Sequence, residues 1–90
     1  MKLKSSHEKK QSLYKQIENG SIPINEALKA LRRSVGKTQS EYARIVRVTL
    51  RTIQEFEQGV GNPTFTTLNK IFKPFGLELY IRISRKKKVE

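Results

Sequence analysis

The chain has 90 residues, enough for one domain whose core is real but thin. Nineteen Lys and Arg oppose eight acids, all of them Glu, for a formal charge of +11, and a charge this one-sided favours an anionic partner. With no Cys and no Asp, the composition excludes disulfide scaffolds, thiolate metal sites, thiol nucleophiles and Asp-based dyads, while the single His7 sits in a polar terminal segment poorly suited to general-base work.

The first ten residues contain no apolar h-region, so no signal peptide is expected. No apolar run approaches the roughly 18 residues of a membrane span. The expectation is a cytoplasmic chain with no membrane partner.

Residues 1–22 are polar and basic. Leu13, Tyr14 and Ile17 suit one face of a short amphipathic helix from His7 to Asn19, with Gly20 as its stop. Pro23 fits the first turn of the next helix, whose apolar stripe is Ala27, Leu28, Leu31 and Val35, up to Gly36. Thr38 to Glu41 then reads as a capping box, opening a short helix with Tyr42, Ala43, Ile45 and Val46 on its apolar side. Thr49 caps the following helix, with Leu50, Ile53 and Phe56 inward and Gly59 as a left-handed stop. Residues 60–63 are turn-formers, and a further helix from Thr64 carries Leu68, Ile71 and Phe72 as its buried stripe.

Pro74 should end that helix by pushing Lys73 out of the α region. The period then changes to two. Leu77, Leu79, Ile81 and Ile83 alternate with Glu78, Tyr80, Arg82 and Ser84, which reads as a half-buried strand over 77–84. Arg85 to Lys88 belong to a basic tail, 85–90, for which disorder is expected. A strand cannot satisfy its own backbone, and the chain offers no convincing second strand. The simplest partner is its copy in a second subunit, with Leu77, Leu79, Ile81 and Ile83 at the interface of a twofold homodimer. Local pairing with a terminal segment, or addition to another protein's sheet, are the other solutions.

The helices at Thr38–Val46 and Thr49–Gln58 are separated by about three residues, the layout of a helix-turn-helix. Ala43 is small where two such helices cross, Val48 follows the turn and points inward, and Ile53 plugs the same core. The exposed positions of the second helix are Thr49, Arg51, Thr52, Gln54 and Glu55, all able to hydrogen-bond to base edges. Between Lys29 and Arg51 lie seven basic residues (Lys29, Arg32, Arg33, Lys37, Arg44, Arg47, Arg51) against one acid, Glu41, as phosphate neutralisation requires. Of these, Lys37 just before the first motif helix and Arg44 within it are expected to contribute phosphate contacts.

Two apparent signals dissolve on inspection. Gly36-Lys37-Thr38 echoes the end of a P-loop, but Leu31 stands where its first Gly belongs. Phe65, Phe72, Phe75 and Tyr80 have helical and strand spacing, which favours core or dimer packing over a stacking platform for single strands. No set of general acid, base or metal ligands is present, so neither enzyme activity nor a cofactor or metal is expected.

Thr38-Gln39-Ser40-Glu41-Tyr42-Ala43, Val48-Thr49, Thr52-Ile53, Glu57-Gln58-Gly59, Asn62-Pro63-Thr64, Thr67-Leu68 and Gly76 closely resemble the Cro/C1-type (XRE) helix-turn-helix family over roughly Ile24 to Gly76. A strand directly after the last family helix further resembles the HipB-like antitoxins. The resemblance implies a mostly α fold, a five-helix lambda-repressor-like domain with one C-terminal β-strand pairing across a dimer. Its segments would be an N-terminal extension at 1–22, the DNA-binding domain at 23–76, the dimerisation strand at 77–84 and the tail at 85–90. It also implies a phosphate contact at Gln39, base-reading positions at Thr49, Leu50, Arg51, Thr52 and Glu55, and a structural role for Glu57. The implied partners are double-stranded DNA with an inverted-repeat operator, a second copy of the chain and a HipA-like kinase toxin. The implied function is a transcriptional repressor serving as the antitoxin of a type II toxin–antitoxin pair. A free-standing phage-type repressor, or a protein-interaction module with secondary DNA binding, are the alternatives.

Two positions depart from the family pattern. Arg47 occupies a turn position usually held by Gly; keeping φ positive there costs on the order of 1–2 kcal/mol unless the turn differs, and the same placement could let Arg47 reach a phosphate. Pro74 replaces a residue usually helical, so a sharper join to the strand is expected.

Overall fold

A computed structural model describes residues 6–81, with side chains from Gln11 onward. Five α-helices follow one another: α1 (Ser6–Glu18), α2 (Ile24–Ser34), α3 (Gln39–Val46), α4 (Leu50–Glu57) and α5 (Phe65–Phe72), then a 3-10 turn at Lys73–Phe75. The starts of α3, α4 and α5 are set by side chains that accept otherwise unpartnered amide hydrogens. Thr38 Oγ1 accepts from Glu41 N at 3.1 Å while Glu41 Oε1 accepts from Thr38 N at 2.9 Å, completing the capping box of α3. Thr49 and Thr64 cap α4 and α5 in the same way, accepting from Thr52 N and Thr67 N at 3.1 Å each. Glycines close the helices in the left-handed region: Gly20 after α1 at φ +73° and Gly59 after α4 at φ +78°.

Leu28 and Leu31 of α2, Tyr42, Ala43 and Val46 of α3, Ile53 and Phe56 of α4, and Ile71 and Phe72 of α5 form one buried cluster. Tyr42 ties α3 to α5. Its hydroxyl donates to the Ile71 carbonyl, and burial pushes the phenol up to about 12, so it remains a donor at any ordinary pH. Its ring stacks on Phe75, and Phe56 meets Phe72 edge to face, both at 5.9 Å between centroids. Leu13, Tyr14 and Ile17 of α1 pack against this cluster, and Tyr14 Oη donates to the Phe75 carbonyl at 3.1 Å. The N-terminal helix is thus fastened to the turn from which the C-terminal segment departs.

Several expectations need correcting. Lys73 stays in the α region (φ −56°, ψ −41°); the chain accommodates Pro74 by tightening into the 3-10 turn, which Gly76 closes at φ +71°. Val35, Ile45 and Leu50, expected inward, are exposed, while Arg32 of the same apolar face of α2 is buried. Phe65 and Tyr80 are also outside the core, 71% and 75% exposed, whereas Phe72 and Phe75 are in it or against it. Among the described residues there is no β-strand, and residues 77–81 belong to no regular element. Their alternation nevertheless persists: Leu77 and Leu79 are half-buried, Glu78 and Tyr80 exposed. Ile81, of inward parity, is 93% exposed. A strand forms only against a partner for its backbone, and the described residues of one chain supply none. Ile83 and the tail lie outside the described residues.

Candidate nucleic-acid interface

The α3–α4 unit turns through Arg47, Val48 and Thr49. Arg47 adopts φ +61°, ψ +46°, the one non-glycine residue in the left-handed region among those described. That conformation costs about 1–2 kcal/mol relative to glycine's freedom. It lets Val48 N donate back to Ala43 O at 3.0 Å and turns Val48 onto the core. Ala43 and Ile53 are buried at the crossing, as their spacing predicts. The consequence is a fixed angle between the two helices and an exposed face of α4 whose direction is set by packing.

That face carries the residues expected there. Thr49, Leu50, Arg51 and Gln54 are exposed, and Thr52 and Glu55 are half-buried along the same helix. Thr49 and Thr52 hydroxyls bond to each other at 2.8 Å, so both are oriented by the cap. Leu50 is an apolar side chain left facing solvent at the first residue of α4; contact with a thymine methyl is the chemistry open to it. Arg51 Nε donates to Glu55 Oε1 at 2.6 Å across one helical turn. The hydrogen bond and charge of Glu55 hold the Arg51 guanidinium above its usual value.

Behind the face lies a buried ionic group. Arg32 Nε and Nη2 donate to the Glu57 carboxylate at 2.7 and 2.9 Å, and Arg32 Nη1 donates to the Lys37 carbonyl at 2.7 Å. Gln39 Nε2 donates to the same carboxylate at 3.1 Å. The two charged side chains are 9% and 2% exposed. Burial alone would push the Glu57 carboxyl up, but the Arg32 and Gln39 hydrogen bonds and the charges of Arg32 and Lys29 outweigh it, and the net direction is down. This network joins the end of α4 to α2 and to the first residue of α3. It also fixes the rotamer of Gln39, the residue for which a phosphate contact is expected.

Arg32 was expected among seven surface cations and is instead spent on Glu57. The other six (Lys29, Arg33, Lys37, Arg44, Arg47 and Arg51) are exposed. The signal for Arg32 was present: it stands four residues after Leu28 and next to Leu31, on the stripe that Val35 leaves at the helix end. Its partner Glu57 stands beside Phe56 and four residues after Ile53, on the inward side of α4. The reach of Gln39 to that carboxylate has no comparable sequence signal, because it depends on how α3 docks.

Among the described residues, no group of His or Glu is placed to hold a metal ion, every buried side-chain polar atom has a partner, and no helix is long and apolar enough to cross a membrane. The site can offer fixed donors and acceptors and a field of exposed cations. Those suit a structured polyanion with readable edges. A family model described as helix-turn-helix matches residues 28–81, well over half of the chain and including all of α3, α4 and α5. No curated protein and no solved structure matches the chain.

Proposed function

The chain belongs to the Cro/C1-type (XRE) helix-turn-helix family, whose members are DNA-binding regulators, and we propose that it is a dimeric transcriptional repressor acting as an antitoxin. The observation that carries the reading is α4: a short, capped helix whose solvent face is lined by Thr49, Leu50, Arg51, Thr52, Gln54 and Glu55. In this reading that face enters the major groove, while Lys37, Gln39, Arg44 and Arg47 hold the phosphates on either side. Residues 23–76 form the DNA-binding domain, α1 within the basic extension 1–22 braces it through Leu13, Tyr14 and Ile17, and 85–90 add a basic tail.

Residues 77–84 become a strand by pairing with the same segment of a second copy. Supporting this are the persistent alternation at 77–80 and the unpartnered Ile81. Leu77, Leu79, Ile81 and Ile83 then form the dimer seam. The second partner is a HipA-like kinase toxin. Supporting that are the alternating apolar segment that follows α5 and its 3-10 turn, and an α1 that lies outside the family match.

Selection of duplexes from a random pool tests the reading. The protein should enrich an inverted repeat whose half-site centres lie about 34 Å apart, or a multiple of it. A pool that stays random after selection contradicts sequence-specific binding. A single unrepeated half-site contradicts the dimer. Co-purification with the product of the adjacent gene tests the toxin. A chain that represses fully and binds no such product is the free-standing phage-type repressor instead.

A further inference from the structure

We propose that Glu55 is a positioning residue for base readout: it holds Arg51 so that its two terminal nitrogens face outward as the only bidentate edge left. This rests on the reading of α4 as a recognition helix.

Three observations carry it. The first is the contact itself. Arg51 is 85% exposed in its side chain, yet its Nε is committed to Glu55 Oε1 at 2.6 Å. A guanidinium can present two donor edges, one through Nε and one through the terminal pair. Glu55 occupies the first, so a guanine would meet the second.

The second is the placement of the charges. For helix stability the pair runs the wrong way: the cation is in the first turn of α4, at the positive end of the helix dipole, and the acid is C-terminal to it. An exposed pair of this kind adds little to folding in any case. Its arrangement suits the presentation of Arg51 to an anion or an acceptor edge, and does not suit stabilisation of α4.

The third is the room made for Glu55. A Cβ at Gly61 would stand 3.1 Å from Glu55 Oε2 and 3.4 Å from Glu55 Cβ, and Gly61 is at φ +85°. The loop after α4 also folds back on the same residue, with Val60 N donating to the Glu55 carbonyl at 2.9 Å. The Glu55 side chain therefore lies against the loop and reaches along α4 to Arg51.

The test uses the full chain, the best duplex selected from a random pool, its single-base variants and a scrambled duplex. Glu55→Ala should lower preference for the base pair read by Arg51 about tenfold and leave preferences elsewhere unchanged. It should also tighten binding to the scrambled duplex, because a carboxylate leaves the phosphate field. Glu55→Gln, whose amide oxygen can still accept from Nε, should keep most of the preference. In an Arg51→Ala background, Glu55→Ala should change preference no further. The inference is overturned if Glu55→Ala keeps the wild-type preference within twofold. It is equally overturned if the loss falls on another base pair and persists without Arg51, since Glu55 would then read a base itself. A pool that yields no preferred duplex overturns the reading of α4, and this inference with it.

Discussion

At the scale of single residues, the Arg32–Glu57 pair and Arg47 decide most. Removing one partner of a buried, hydrogen-bonded pair leaves an uncompensated charge, so Glu57→Ala should cost about 3–5 kcal/mol, read as a shift in the urea midpoint. The double variant Arg32→Met/Glu57→Leu should recover most of that loss, because both desolvation costs disappear together. The pH dependence follows from the direction of the Glu57 shift. The folded carboxyl lies below its ordinary value of 4.5, so its contribution is complete above that value and is lost as pH falls through the folded one. Wild type should therefore lose stability as pH drops below about 4.5, and Glu57→Gln should show a flatter profile over the same window. Arg47→Gly releases left-handed strain but gives the unfolded chain more freedom; the balance favours the folded state by about 1 kcal/mol. If Arg47 holds a phosphate, the same variant should weaken DNA binding while raising the melting temperature.

At the scale of elements, the sequence was most informative where a cap and a stripe coincide. The three threonine caps placed the starts of α3, α4 and α5 within a residue, and Gly59 did the same for the end of α4. The apolar stripes were less reliable. Helices of eight residues make barely two turns, so spacing alone cannot say which of Ile45 and Val46, or of Leu50 and Ile53, faces the core. Docking of the neighbouring helix decides that. Pro74 shows a different limit: steric bias against the α region at Lys73 is a preference that the close of α5 and the left-handed Gly76 override. For the site, the polar face of α4 could be read directly. The burial of Arg32 and its capture of Glu57 and Gln39 needed three helices brought together. The Tyr14–Phe75 bond belongs to this scale too. Tyr14→Phe should destabilise by about 0.5–1.5 kcal/mol in thermal melts, because α1 and the 3-10 turn lose their polar tie.

At the scale of the whole molecule, charge and symmetry govern. With six exposed cations from Lys29 to Arg51, affinity for DNA should fall steeply with salt, and replacing Lys37 by Gln should shallow the slope of log K against log salt by about one. An unchanged slope removes Lys37 from the contacts. The proposed seam contains Ile81 of both chains, so Ile81→Lys would bury two like charges in it. Sedimentation should show a shift towards monomer, and affinity for an inverted repeat should drop sharply because one half-site binds weakly. A dimer that survives the substitution and binds normally would exclude the segment at 77–84 as the interface.

The claim that α4 reads sequence is tested most directly by one ratio: affinity for the selected duplex over affinity for a scrambled duplex of equal length and composition, both at physiological salt. A sequence reader should show a ratio of about a thousand or more. A ratio near one, with binding that follows salt alone, would make the chain a non-specific polyanion binder and contradict the account.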